Sequence, residues 1–502
     1  MNYRERIFQQ EGSFFPGKTY VEAVLAPAFH EAKNHLLEPM MAINKAHLIM
    51  LREQELLTEG EAKAIAQALA GIELEELRHS AYTGQFEDLF FQVESRLLEL
   101  APDVAGNLHL ARSRNDMGIA IYRMVLRDKL LVALESALSL KEHLLLFAQE
   151  HVETVMIGYT HTQQAQPTTL AHYIMAVVDL LSRDIQRLMN AYRTCNRSPM
   201  GAAALTTSGF AISRERMREL LGFDELVENS YDAVCGADYL GEAATAAQLA
   251  AINLGRAVQD MLLWCTQEFA VLKVASPYVQ ISSIMPQKRN PVSFEHMRSL
   301  LSSSAANAAA VLAMMHNTPF GDIVDTEDDL QPYMWKSLSV LEQMYRLMAC
   351  VIGTMEVNKR GLLERAKGSF ATVTELADTI VRTDCLSFRS SHHIVSRVVK
   401  EATAAGLRAN QISLELVNRA AREVIGKDLN MTAEQLQLAL DPVHFVKIRK
   451  LPGGPNAAEI GRMAAERTAS LQAATAWLIG EKQAREQMWK QLEQVIEKWS
   501  VG

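Results

Sequence analysis

The stretch Ala243-Ala244-Thr245-Ala246-Ala247-Gln248-Leu249-Ala250-Ala251-Ile252-Asn253-Leu254 lies inside a proline-free run, 239 to 265, that decides the fold. Leu249, Ile252, Leu254, Val258, Met261 and Leu262 recur at helical spacing, and alanines occupy much of what remains. Such a helix has little polar face, so it has to be covered on several sides. That favours a bundle whose helical core is shared between subunits.

The same pattern extends outward. Prolines are absent from 103 to 166, 200 to 276 and 333 to 441, which leaves room for long helices. Leu126, Leu130, Leu131, Leu134 and Leu138 repeat the helical period, whereas strand-like alternation is scarce. The reading is an all-α protein of long bundled helices. A turn from Ala101-Pro102-Asp103 to Gly106 and the pattern at Lys359-Arg360-Gly361 suggest domain edges. They give an N-terminal helical domain over 1–115, a central bundle over 116–365 and a C-terminal helical domain over 366–502. The cluster Leu451-Pro452-Gly453-Gly454-Pro455 interrupts the last of these. The uncharged stretch from Ser299 to Gly321 reads as a buried helix of small residues rather than a membrane span. The tail after about residue 476, with Trp489 and Trp499, reads as a packing helix.

A chain of 502 residues with 49% hydrophobic and 22% charged residues has ample material for two or three domains. The net charge of -9 is dispersed, which argues against nucleic acid and against a polybasic membrane anchor. Cys195, Cys235, Cys265, Cys350 and Cys385 are far apart and lack metal-ligand spacing. Reduced thiols and the missing apolar core of a secretory signal lead to an expected cytoplasmic location.

Four segments concentrate chemistry. Ser282-Ser283-Ile284-Met285-Pro286-Gln287-Lys288-Arg289-Asn290-Pro291 sets two hydroxyls ahead of Pro286 and two amides, an amine and a guanidinium between it and Pro291, which suits an anionic ligand. His109-Leu110-Ala111-Arg112-Ser113-Arg114-Asn115-Asp116 offers carboxylate donors of fixed geometry, although a helix start capped by Ser113 or Asn115 is the plainer reading of the residues alone. Gly158-Tyr159-Thr160-His161-Thr162-Gln163-Gln164-Ala165-Gln166-Pro167 carries a histidine, the side chain best suited to proton exchange near neutral pH; a structural histidine is the plainer alternative. Asn229-Ser230-Tyr231-Asp232-Ala233-Val234 would pass as a loop entering the long helix.

These four segments resemble those of argininosuccinate lyases in the fumarase/aspartase superfamily, over about residues 50 to 475. The resemblance implies a three-domain all-α lyase fold, a homotetrameric core and active sites assembled from three subunits. It implies no metal or organic cofactor, and a small dicarboxylate substrate. The implied chemistry is β-elimination of fumarate from an N-substituted aspartate. Ser282 would act as base, Lys288 and Asn290 would meet the charge developing on the carboxylate, and Glu295 would orient His161, which protonates the leaving nitrogen directly or through a water. Ser113, Arg114, Asn115 and Thr160 would hold the succinyl part. Serine becomes a plausible base only where water is excluded and the surroundings favour the alkoxide.

The chain departs from the pattern it resembles in the segment that would face the amine. Where argininosuccinate lyases usually carry a tyrosine, a glutamine and a lysine, this chain has Asp322, Glu327 and Leu330. Glu87-Asp88-Leu89-Phe90 replaces a family motif ending in histidine, the serine expected in the first helix has no clear counterpart, and Ile281 stands where a glycine usually precedes the loop. With Asp88, Asp322 and Glu327 lining it, the amine half is expected to be more cationic and less carboxylated. Argininosuccinate is the nearest substrate; another amine-linked succinate, or a catalytically silent homologue, is the alternative.

Overall fold

The computed structural model describes residues 2–501. Five long helices dominate the centre: α1 (Arg114–Glu150), α2 (Leu170–Cys195), α3 (Asp238–Trp264), α4 (Val292–Met315) and α5 (Gln331–Ile352). The most extensive contacts join α3 to α4, α5 to α1, α1 to α2 and α4 to α5. The alanine-rich α3 buries Ala243, Ala244, Ala246, Ala247, Ala250 and Ala251, which lets its neighbours approach closely.

Covering is incomplete in one chain. Ile252 and Leu263 of α3, Val132 and Leu146 of α1 and Leu300 of α4 remain exposed. The small-residue helix α4 buries one face, from Phe294 through Met297, Leu301, Ser304 and Ala308 to Val311, rather than its whole circumference. Among the described residues, no helix is long and apolar enough to cross a membrane.

The largest core cluster runs from Phe29 through the bundle to Ile496. It includes the helix α6 (Ala457–Val501), which packs through Met463, Leu478, Met488, Leu492 and Ile496. This last helix crosses α1 and reaches the N-terminal helices Leu37–Glu53 and Glu59–Ala70, so the C-terminal tail is a packing element. Residues between Leu376 and Leu440 form a separate cluster.

The principal strand pair is a hairpin of β1 (Val155–Thr160) and β2 (Gln163–Thr169), with a bulge between Gly158 and Tyr159. His161 and Thr162 form its two-residue turn at φ 49° and 60°. Two successive positive φ values match the twist of a tight hairpin, so His161 sits at the tip because the turn places it there. The bundle has two distinct ends. One gathers the start of α1, the end of α2 and the start of α3, as Arg123 bonds to the Thr194 and Cys195 carbonyls and its guanidinium lies 3.9 Å from the Tyr239 ring centroid. The other gathers the hairpin, the end of α3 and the start of α2, where Tyr173 and Trp264 rings lie 4.7 Å apart.

Candidate active site

The end at the start of α1 is built from caps. Ser113 Oγ accepts the Asn115 N–H at 3.3 Å, and the Ser113 N–H donates to Asp116 Oδ1 at 3.0 Å. This reciprocal cap leaves Arg114 and Asn115 at the rim of the helix start. Arg114 donates to Asp88 Oδ2 at 2.7 Å and Glu87 Oε1 at 3.4 Å, and stands 4.8 Å from the Phe91 ring centroid. Asn115 Nδ2 donates to the Ala204 carbonyl at 3.3 Å. Arg112 turns the other way, buried, and donates to Asn44 Oδ1 at 2.7 Å; it is a support rather than part of an open carboxylate clamp.

Asp116 joins this turn to the next loop, because its Oδ2 accepts the Gly201 and Ala203 N–H groups at 2.9 Å each. Burial pushes its carboxyl up to about 6, against the pull of the Ser113, Ala203 and Gly201 N–H groups and Arg112. Arg214 then donates to the carbonyls of Met200, Val227 and Glu228 at 3.1, 2.8 and 2.7 Å, which fixes the approach to Asn229. Asn229 caps the short helix Ser230–Cys235 through the Tyr231 and Asp232 N–H groups. The third motif segment is therefore a helix start.

Tyr231 connects that helix to the divergent segment. Its hydroxyl donates to the Phe320 carbonyl at 3.2 Å and its ring stacks on Phe320 at 5.7 Å. Beyond Phe320, Glu327 lies beside Asp322 and Asp328, and the Tyr122 hydroxyl donates to Asp328 Oδ1 at 2.6 Å. Burial first, then a hydrogen bond shared with Asp322 and the charges of Asp322 and Asp328, push the Glu327 carboxyl up to about 8; Arg114 offsets them only in part.

At the opposite end, residues Gln280–Ile281 pair with Arg289–Asn290, so the loop that contains Ser282 and Lys288 is a small hairpin. Arg289 anchors it to the Val274 carbonyl and Ser276 Oγ, both at 3.3 Å. Within the loop, Ser282 Oγ accepts the Ile284 and Met285 N–H groups at 3.4 and 3.1 Å. The Tyr159 and Phe269 rings, 6.1 Å apart, set the His161 hairpin beside the segment leading to this loop.

One chain thus separates the expected site residues into two groups. Asp88, Ser113, Arg114, Asn115, Asp322 and Glu327 lie around the start of α1, while Thr160 and His161 follow its end. Ser282, Lys288, Asn290 and Glu295 precede or begin α4, at the hairpin end. The 37 residues of α1 put its two ends roughly 55 Å apart at the helical rise. His161 and Glu295 are both exposed, and no hydrogen bond or ion pair joins them among the described residues. Their pairing is not made within one chain. Tyr122, Asp328, Arg214, Asn44 and His47 also support the first group without having been singled out in the sequence. Their positions on otherwise ordinary helical patterns carry no local signal of that role.

Two family models match this chain: "Lyase" over residues 28–303 and "Argininosuccinate lyase C-terminal" over 370–447. Argininosuccinate lyase 2 of Agrobacterium fabrum is 39% identical over 449 residues, covering 89% of each chain. The chain belongs to the argininosuccinate lyase family. It is thereby a lyase of the fumarase/aspartase superfamily. Argininosuccinate lyase 1 of Shouchella clausii is 34% identical over 448 residues, which covers 89% of this family member and 90% of the relative. Among solved structures, an EDDS lyase variant with bound fumarate aligns at a TM-score of 0.87 and 32% identity, covering 95% of this chain and 96% of that one. The class II fumarase of Schistosoma mansoni shares the fold, with a TM-score of 0.68 at 15% identity over 87% of this chain and 94% of its own. Argininosuccinate lyase family membership thus rests on sequence along most of the chain, and the all-α lyase fold on both sequence and structure.

Proposed function

We propose that this lyase releases fumarate from an N-substituted aspartate, with argininosuccinate as the nearest substrate, giving arginine and fumarate. The observation that carries this reading is the pair of loop N–H groups directed at Ser282 Oγ. Donors at that oxygen favour its charged form, which is what a serine base requires. Ser282 removes a proton from the carbon beside a carboxylate. The electron pair left behind becomes the double bond of fumarate as the bond from the neighbouring carbon to nitrogen breaks. Lys288 and Asn290 meet the charge that develops on the carboxylate, and His161, oriented by Glu295, supplies the departing nitrogen with a proton directly or through a water.

The two groups of residues meet when antiparallel bundles of neighbouring copies lie side by side. Ser113, Arg114 and Asn115 of one subunit then hold the succinyl part together with Thr160 and a Ser282 loop from the hairpin ends of its neighbours. A homotetramer with sites shared among three subunits satisfies this requirement and covers the apolar residues left exposed on α1, α3 and α4.

A second reading concerns the amine. Asp88, Asp322, Glu327 and Asp328 gather beside the start of α1, with the Arg114 guanidinium among them. Even with Glu327 holding its proton near neutral pH, Asp88, Asp322 and Asp328 suit a cationic amine with few carboxylates better than they suit the α-carboxylate of arginine. Fumarate absorbance measured with argininosuccinate, alongside addition of a panel of amines to fumarate, tests both readings, with Ser282→Ala as control. Fumarate from argininosuccinate that disappears in the variant supports the first. Addition to another amine, with argininosuccinate inert, supports the second; inactivity in both directions on every compound overturns the lyase assignment to these substrates.

A further inference from the structure

The turn that presents Ser113, Arg114 and Asn115 is held from beneath by polar groups of the helix Leu37–Glu53. His47 Nε2 lies 2.8 Å from the Leu110 carbonyl, and Arg112 Nη1 donates to Asn44 Oδ1 at 2.7 Å. Between these two anchors stands Ala111 at φ 59°, a left-handed conformation that an alanine seldom adopts. A strained residue persists only where its surroundings over-determine it. Here the anchors clamp the residue on each side of Ala111, and Ser113 follows immediately.

His47 and Asn44 are 1% and 2% exposed, so neither reaches a ligand directly. Burial, helped by the neighbouring Arg112 charge, holds the His47 imidazole down to about 3, which makes it neutral throughout the working range. A neutral imidazole facing a carbonyl at this distance must carry its proton on Nε2 and donate it. The other nitrogen, Nδ1, has no partner among the described residues. The ring therefore makes a single hydrogen bond, to the Leu110 carbonyl.

We propose that His47, with Asn44 acting through Arg112, is a positioning residue for the succinate-binding turn Ser113–Asn115. It sets the backbone angle at Ala111 and thereby the direction in which the Ser113 and Asn115 donors face. The inference rests on the reading of that turn as the holder of the succinyl part.

The test compares wild type, His47→Leu, His47→Gln and Asn44→Ala for fumarate KM in the amine-addition direction, for kcat and for thermal midpoint. Loss of the donor in His47→Leu should raise fumarate KM about tenfold with kcat changed less than about threefold, and His47→Gln, which restores an N–H donor, should recover most of the loss. Asn44→Ala should raise the same KM without a matching rise for the amine. A His47→Leu enzyme of lowered thermal midpoint but unchanged fumarate KM overturns the inference, as does a glutamine variant no better than the leucine one. If His47→Leu does not fold, Asn44→Ala and His47→Gln decide: fumarate KM unmoved in the first, or raised tenfold in the second, overturns it. Failure of wild type to use fumarate at all would instead remove the underlying reading of the turn.

Discussion

The Tyr122 hydroxyl donates to Asp328 Oδ1 at 2.6 Å, tying the first turns of α1 to the segment that departs most from the family pattern. Tyr122 is buried and its ring cannot follow a shift of that segment. The bond therefore sets where the Asp322–Asp328 carboxylates stand relative to Arg114. Tyr122→Phe should cost about 1 kcal/mol of stability, a typical net value for one hydrogen bond. It should also raise KM for the amine more than for fumarate, as denaturant titration and steady-state kinetics would reveal.

Glu327 gives a pH prediction. Its carboxyl is raised to about 8 from an ordinary value of 4.5, so the folded protein binds this proton more tightly than the unfolded chain does. The resulting stabilisation is complete below about pH 4.5 and is lost as pH rises through about 8. Glu327→Gln removes the dependence. The difference in thermal midpoint between the variant and wild type should move in the variant's favour from pH 6 to pH 9; a difference constant across that range would contradict the raised value.

Asp116 accepts three backbone N–H groups from two separate loops. An asparagine offers a single acceptor oxygen and brings an unwanted donor. Asp116→Asn should therefore lose about 2 kcal/mol or more, the penalty for leaving buried donors unmet. Fumarate KM should rise at the same time, since the Ser113 cap and the 201–203 loop share this carboxylate.

Gly201 has φ 81°, and a Cβ there would stand 2.6 Å from Arg214 Cγ. Gly201→Ala combines an unfavourable backbone with displacement of the arginine that holds the Val227 and Glu228 carbonyls. A loss of about 1–3 kcal/mol is expected, measured by chemical denaturation, whereas the alanine variant at the open position Gly209 should stay within about 0.5 kcal/mol of wild type.

Separation of the two groups along α1 predicts subunit complementation. Ser282→Ala and Asn115→Ala impair opposite ends of the bundle. Each variant alone should be inactive, and dissociating and reassembling an equal mixture should restore roughly a quarter of wild-type activity by random pairing of intact ends, if sites are shared as proposed. A mixture that stays inactive, with mixed tetramers demonstrated by mass spectrometry, would rule out sites shared in this way.

Much of the bundle was legible in the sequence because helical periodicity and the absence of proline are local properties. The runs at 126–138 and 249–262 lie in α1 and α3, and the four motif segments were recognisable by residue order. Less legible was the form each segment takes. Gly158–Pro167 contains no obvious turn signal such as Asn-Gly, yet it folds as a tight hairpin, with His161 and Thr162 in the left-handed region. Small-residue composition made α4 read as buried throughout, whereas one chain covers one face of it.

Sequence by itself determined the family, the helical class and the identities of the chemical groups, since each depends on residue type and spacing along the chain. Tertiary structure decided which groups share a place: that Arg112 is buried on Asn44 while Arg114 faces Asp88, that Glu327 lies against Asp322 and Asp328, and that His47 bonds the Leu110 carbonyl from 63 residues away in sequence. Such outcomes depend on burial and on charges contributed by distant segments, and those quantities are set only when the helices pack.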